Sequence, residues 1–559
     1  MNLRKAQQGA ALLALAALLV LATSWMLVSA FASVVGSNAA QVARNARVLA
    51  EAKSALIAWV ARTALEPAES NPGRLPCPQA WGDLGSANEG RAAAVCAATA
   101  AGWLPWRSLG LPVMLDASGQ QLWYVISPGW HLPNGGASLT INSNTPGRLL
   151  LDGRAVIALI IAPGPVLNIA PNAAQRAAGC NARRQSRARN PQINPNPRDF
   201  LDCQNGSTAD NVFVSAVAGN AAHAVFNDQV LAITAADLLP ALEAAIAKRI
   251  ERDIVPPLKN VYASAVWGAS AANPLFPFAA PFTNPGTSAF QGAAGVFQGL
   301  LPFNQIGDCT GGPRCLPALV GWAATPPVAY LAGAYGHLRS QSCAWEVPGE
   351  IRVCEGEYQE DGAQPWRAMR IEMMATFTNV AMGLRVIDAT RMEVLARNSA
   401  GAGTWQARPV TYSATIQPNG SATLTFGATL PNIDDMGWGT YARFRVRIER
   451  AAIADHPLLG ASAPGTGWFV RNEWYRLLYY ATCDRVTPTC LQVANFAPAN
   501  RQRAILILAG RSLGGSPRPN GNLEDFLDSA ANRDGDNAFE QLAVNRTFND
   551  RVVVLDANP

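Results

Sequence analysis

The chain carries one signature twice. Asp199-Phe200-Leu201-Asp202, seven residues, Asp210-Asn211-Val212-Phe213, and later Phe226-Asn227-Asp228-Gln229-Val230 are matched near the carboxyl end. The second copy reads Asp525-Phe526-Leu527-Asp528, seven residues, Asp536-Asn537-Ala538-Phe539, then Phe548-Asn549-Asp550-Arg551-Val552. An apolar, β-branched strand is expected before each copy, over 154–161 and 503–508, and another closes each, over 230–234 and 552–555. The front halves match more loosely: RLPCPQ at Arg74 with PLFPFAAP at Pro274, GWLPWR at Gly102 with GLLPFN at Gly299, and Gln121-Leu122-Trp123-Tyr124 with Glu473-Trp474-Tyr475. A repeat spread over this length requires two similar modules in series.

Each module opens with a helical pattern. The first continues from Val42 to about Pro67, with apolar residues at three- and four-residue steps and charges between them. The second runs from about Thr234 to Asn260, with Thr234 and Asp237 as a capping-box-like start and Leu242, Ile246, Ile250 and Ile254 as its stripe. Between Gly307 and Gly467 the second module is interrupted. Stretches 373–389, 410–416, 421–430 and 441–452 alternate apolar and polar residues, and Pro418-Asn419-Gly420 signals a hairpin turn. An added antiparallel β layer is expected there, placed to offer a partner-binding surface.

At 559 residues the chain is too long for one core. Ten cysteines fall into sequence-local pairs: Cys77 with Cys96, Cys180 with Cys203, Cys309 with Cys315, Cys343 with Cys354, and Cys483 with Cys490. An even count on an exported chain reads as disulfides, although sequence alone does not fix connectivity. No CxxC and no Cys-His cluster marks a zinc site. The net charge of +5 gives no case for a nucleic-acid partner.

The amino end sets the expected location. After Arg4, Lys5 and Gly9 no charged residue occurs until Arg44, and Ala10 to Ala32 is apolar. At ~1.5 Å per residue this segment crosses a hydrocarbon core of ~30 Å as one helix. Basic residues on its amino side place that end in the cytoplasm and the bulk of the chain in the periplasm. A secretory signal cut at Ala30-Phe31-Ala32 competes with this reading, but the segment exceeds the usual ~7–15 apolar residues.

A short basic leader ending in Gly, followed by an apolar helix that becomes amphipathic, resembles the amino-terminal region of type IV pilins and type II secretion pseudopilins. The run from Ala52 to Pro112, AKSALIAWVARTA then GRLPCPQ then AGWLPWRSLGLP, is similar to large pseudopilin-like proteins related to the major G-type pseudopilin. The resemblance implies cleavage by a prepilin peptidase after Gly9, leaving Ala10 as the new terminus. It also implies contact with membrane lipid, an inner-membrane assembly platform and other pilin or pseudopilin subunits. At the fifth mature position, where most members carry Glu, this chain has Ala14. Tip subunits of the family share that departure, which favours a minor subunit of an inner-membrane-anchored filament.

Three other features bear on chemistry. Gly510-Arg511-Ser512-Leu513-Gly514 fits the G-x-S-x-G pattern, but no His follows Ser512, the four being His131, His223, His337 and His456. A loop reading is preferred, and no enzyme is expected. Asn532, Asp534, Asp536 and Glu540 offer oxygen ligands on a tight turn, and similar loops in the major pseudopilin family bind calcium; Asx-capped turns are the competing account. Arg183, Arg184, Arg187 and Arg189 read as a solvated basic loop.

The expected fold is therefore α+β and pilin-like: a long membrane-spanning amino-terminal helix packed on an antiparallel sheet, tandemly duplicated, with a β-rich insertion in the second module. The boundaries are 1–9 leader, 10–33 span, 34–236 first module, and 237–559 second module with its insertion at about 307–467. The expected function is assembly as a minor pilin or pseudopilin through the apolar helix. The alternative is a membrane-anchored, adhesin-like binding protein that uses the insertion.

Overall fold

The amphipathic pattern after Arg44 becomes a helix, α1, over residues 39–64. Leu49, Ala52, Leu56 and Val60 are its buried stripe, each large apolar side chain contributing ~1.5–3 kcal/mol on burial. The computed structural model describes residues 39–557 apart from internal segments, among them 132–138, 191–195, 216–225, 263–275, 283–291, 303–320, 361–369, 431–440 and 456–464. Gly9, Ala10, Ala14, the apolar segment 10–32 and the cysteines at 180, 203, 309 and 315 lie outside the described residues.

The chain divides into two compact units. The first holds the helix up to Val60 with Arg74–Leu139 and Thr145–Leu238; the second holds Ala61–Gly73, Thr140–Asn144 and Leu239–Pro559. The second unit thus takes two short segments from sequence assigned above to the first module.

Unit 1 is built on β1 (Ala101–Trp103), β2 (Trp123–Ile126), β5 (Ala158–Ala162) and β7 (Gln229–Ile233), antiparallel in that order. One face carries Trp103, Trp123, Val125, Leu159 and Ile161 into a core with Phe200, Leu201 and Phe213. Trp103 and Phe200 meet edge to face at 5.6 Å. A small sheet of β4 (Arg154–Val156), β3 (Leu149–Leu151) and β6 (Val212–Phe213) lies beside it, with β3 and β6 parallel. Helix α1 is tied to β7 by Lys53, which pairs with Asp237 at 2.8 Å and donates to the Ala232 carbonyl.

The helix opening unit 2 is α2 (Ala235–Arg249), then a π turn over Ile250–Ile254, then α3 (Val255–Tyr262). Its start is capped by Asp237, which accepts from the Thr234 N–H and hydroxyl at 2.8 and 2.7 Å. Leu242, Ile246, Ile250 and Ile254 are all fully buried. A four-residue step over-rotates an α-helix by about 40°, and the wider π turn takes back part of that drift. Arg249 is buried as well, donating to the Ala64 and Pro67 carbonyls and lying 4.4 Å from the Trp468 ring centroid.

Between β8 (Gln298–Leu300) and the next strand of its sheet comes the insertion. Its strands are β9 (Gly321–Trp322), β10 (Val328–Ala332), β11 (Gly336–Val347), β12 (Ile351–Glu360), β13 (Arg370–Thr378), β14 (Met392–Arg397), β15 (Gln406–Arg408), β16 (Thr411–Ile416), β17 (Ala422–Thr429) and β18 (Tyr441–Glu449). They form two sheets, β9-β13-β17-β16 with β10 also on β13, and β11-β12-β18-β14-β15. Alternation puts Ile371, Met373, Ala375 and Phe377 of β13 into a common core with Leu424, Phe426, Phe444, Val446 and Ile448. At Gly356 a Cβ would stand 2.4 Å from the Phe444 ring, so the glycine admits that ring across the strand.

The unit 2 sheet then resumes with β19 (Leu478–Thr482), β21 (Gln502–Leu508) and β23 (Arg551–Ala557), in the order β8-β19-β21-β23. Beside it β20 (Gln492–Ala494) and β22 (Ala538–Glu540) pair in parallel, as β3 and β6 do. Gly102 faces Tyr124 across β1 and β2, and Gly299 faces Tyr480 across β8 and β19. Tyr124 is thus matched by Tyr480, and the sequence pairing with Tyr475 is corrected: Trp474 and Tyr475 sit in a 3-10 turn before β19.

Two expectations do not stand. The fold is not a pilin-like α+β arrangement of one long helix on a sheet. Of the described residues 35% are strand and 20% helix, and the strand is parcelled into many small sheets. The insertion, expected as one added β layer, forms two sheets around a core of its own and supplies much of that strand. Among the described residues no helix is long and apolar enough to cross a membrane, since α1 carries Arg44, Arg47, Glu51, Lys53 and Arg62. The single-pass inner-membrane placement is overturned by the same finding.

Candidate functional site

The repeated aspartates form a latch in each unit. In unit 1 Asp202 Oδ2 accepts the N–H groups of Asn227 and Asp228 at 2.6 and 2.9 Å. Asp228 Oδ2 in turn accepts the Asp202 N–H at 2.9 Å and the Asn205 amide at 3.0 Å. In unit 2 Asp528 Oδ2 accepts the Asn549 N–H and Asp550 Oδ2 the Asp528 N–H, both at 2.8 Å. Each latch ties the DFLD turn to the start of the last strand of its sheet.

Burial dominates the electrostatics. It raises the Asp202 carboxyl above its ordinary range and Asp228 further, Asp202's charge adding to the latter. Asp550 is pushed to about 7 by burial and then by Asp528. An arginine serves each latch. Arg187 donates to the carbonyls of Pro163, Gly164 and Phe200, and Arg518 to those of Ala509, Gly510 and Asp525 and to Asp528 Oδ1. These arginines come from sequence positions that do not align, so the repeat does not reveal them. Arg187 is therefore not part of a solvated basic run. Its neighbour Arg189 pairs with Glu89 at 2.8 Å and lies over Trp103.

The proposed calcium residues take other roles. Asn532 closes a two-way clamp on Glu540, accepting its N–H at 2.8 Å and donating to its carbonyl at 3.2 Å. Asn205 does the same to Val214 in unit 1, at 2.9 and 3.3 Å. The Glu540 carboxylate accepts from the Ser529 hydroxyl. Asp534 and Asp536 cap the N–H groups of Asp536 and Ala538 as Asx turns. Among the described residues no group of three or more His, Cys, Asp or Glu is placed to share a metal ion.

The G-x-S-x-G segment is a turn with a packing reason. Gly510 has φ +59°, and a Cβ there would lie 2.7 Å from Asn549 Oδ1; Gly164, at φ +68°, faces Asn227 in the same way. The Ser512 hydroxyl is shielded from solvent and has no hydrogen-bond partner among the described residues. Disulfides join Cys77 to Cys96, Cys343 to Cys354 and Cys483 to Cys490.

The insertion offers the broader surface. On β18, Arg443 and Arg445 pair with Glu357 and Glu355 of β12 at 3.0 and 2.5 Å. At this exposure such pairs contribute ~1 kcal/mol or less and chiefly favour register. Arg352 lies 4.7 Å from the Trp345 ring and 5.8 Å from that of Trp322. Trp345 and Val347 are exposed on β11, as are Val328, Tyr330 and Met374 on the β10-β13 ladder. Strand β16 is the outer strand of its sheet, and its sequence Thr-Tyr-Ser-Ala-Thr-Ile holds no charge or proline to block an added strand.

Comparison of the chain with protein-family models, curated proteins and solved structures finds no match.

Proposed function

We propose that this chain is a non-catalytic structural and interaction subunit, joining a filament of the type II secretion or type IV pilus class as a minor component. One observation carries the interaction reading. The insertion between β8 and β19 has a core of its own, and exposes apolar and aromatic side chains together with an uncharged edge strand. Unit 1 makes the corresponding β1-β2 connection with the residues between Trp103 and Trp123, so a sheet of this order does not require the insertion. Support for the filament class comes from the leader, the apolar segment and the Ala52 to Pro112 run. Pilin or pseudopilin subunits, the prepilin peptidase and the assembly platform are the proposed partners.

An adhesin-like protein that binds a surface ligand through the insertion is the second reading, favoured by the exposed Trp345 beside Arg352. Replacing residues 307–465 with a short Gly-Ser linker separates the two. In the host, crosslinking of the intact chain to filament subunits, kept by the shortened chain with ligand binding lost, supports the second reading. Loss of the crosslinks supports the first. Failure of the intact chain to crosslink to any subunit of either system would remove the filament assignment.

A further inference from the structure

Three arginines are buried among the described residues: Arg249, Arg352 and Arg518. Two of them have oxygen acceptors. Arg249 bonds to the Ala64 and Pro67 carbonyls and pairs with Asp253, and Arg518 bonds to backbone carbonyls and to Asp528. Arg352, 9% exposed, bonds to no carbonyl or carboxylate among the described residues. Its Nε–H is enclosed without an acceptor, and no opposite charge counters the burial that pulls its pKa down. The acids nearest to it along the chain, Glu350 and Glu355, are held by Arg450 and Arg445, and Glu346 by Arg447.

The surroundings restrict what could complete it. Arg352 ends the buried row Arg352, Cys354, Gly356 and Tyr358 of β12, opposite Trp345 of β11 and Ile448 of β18. The Trp345 ring centroid lies 4.7 Å from the guanidinium carbon, and its ring meets Trp322 edge to face at 5.5 Å. These rings attract the charge but offer no oxygen to the five N–H donors. A carboxylate does, taking two parallel N–H bonds from the planar fork. A single guanidinium matches one negative charge, and Arg445, Arg447 and Arg450 are already engaged, so a carboxylate suits it better than a sulfate or phosphate dianion. Trp345 and Val347 are exposed beside it, giving a flat apolar surface for the body of the acid.

We propose that Arg352 and Trp345 bind a small organic monocarboxylate, its carboxylate on the Arg352 guanidinium and a flat face, of a sugar acid or an aromatic acid, on the Trp345 ring. The site rests on the second reading above, to which it gives a ligand class.

Calorimetry and thermal unfolding of the full chain test it, with D-galacturonate and benzoate as probes, galactose as the neutral control and sulfate as the ion control. At least one acid is expected to bind and to raise the unfolding midpoint; galacturonate marks a sugar-acid source and benzoate an aromatic one. Arg352→Met should weaken that binding by about tenfold or more and keep or raise the ligand-free midpoint, because it leaves no buried partner unpaired. Trp345→Leu, at an exposed position, should also weaken it with the fold intact. Four results would overturn the proposal: no acid binding at about 20 mM, equal binding by Arg352→Met, galactose or sulfate binding as tightly as the acids, or a lowered midpoint in Arg352→Met with native binding in Trp345→Leu, the mark of a purely structural arginine. The shortened chain tests the second reading separately: a surface ligand lost with residues 307–465 yet bound normally by Arg352→Met keeps that reading and removes the carboxylate site.

Discussion

Asp202 and Asp228 hold each other's backbone: the Asp228 carboxylate accepts the Asp202 N–H at 2.9 Å, and the Asp202 carboxylate accepts the Asp228 N–H at 2.9 Å. Replacing Asp202 by Ala leaves the buried N–H groups of Asn227 and Asp228 without acceptors. A loss of about 2–6 kcal/mol is expected in denaturant unfolding, at ~1–3 kcal/mol for each of the two unsatisfied groups. A loss under about 0.5 kcal/mol, the level of an ordinary surface substitution, would show that the latch is not a stabilising element.

The two arginines make the latches unequal. Arg518 is enclosed, its side chain 1% exposed, and pairs with Asp528 at 2.9 Å, whereas Arg187 is half-buried and bonds mainly to carbonyls. Arg518→Ala strands a buried carboxylate and should cost about 3–5 kcal/mol. Arg187→Ala should cost less, because water can replace part of its contacts. Parallel chemical denaturation of the two variants checks the order; a larger loss at Arg187 contradicts it.

Stability should fall as pH rises. Glu243, buried and accepting from Ser143 at 2.8 Å, is pushed to about 7 mainly by burial, despite Arg551 and Arg511 nearby. Asp550 also stands at about 7. Free carboxyls titrate near ~4, so between about 4.5 and 7 the folded chain keeps protons that the unfolded chain has released. The stabilisation is complete below the unfolded values and is lost as pH passes the folded ones. Each group contributes on the order of 3 kcal/mol to that change. Thermal midpoints should be higher at pH 5 than at pH 8, and Glu243→Gln should flatten the slope. A midpoint that rises toward pH 8 would refute the assignment.

The Cys343–Cys354 bridge closes the β11-β12 hairpin across directly opposed residues. Removing both cysteines as serines should cost about 2–3 kcal/mol by loop-closure entropy. Hydrogen exchange should quicken in β11 and β12 and leave the unit 1 sheet unchanged. Equal acceleration in both places would mean that the insertion does not unfold on its own.

Local pattern was legible where local forces decide. The stripe from Leu242 to Ile254, the cap at Thr234 and Asp237, and strands such as Thr411–Ile416 and Ala422–Thr429 follow from spacing, because burial of one face sets the period. The site residues were harder to read. Asn205 and Asn532 perform the same clamp but sit three and four residues after their aspartates, so a gapless comparison separates them.

By itself the sequence determined that two modules share a signature, because the latch needs Asp, Asn and Gly at fixed places near each turn. Tertiary structure alone decided what those residues touch: that the acids on the 532–540 turn serve backbone groups, and that Arg187 and Arg518 fill the same role from unrelated positions. The arginines bond groups outside their own turns, and the energies of all these contacts depend on burial and direction, which residue order does not encode.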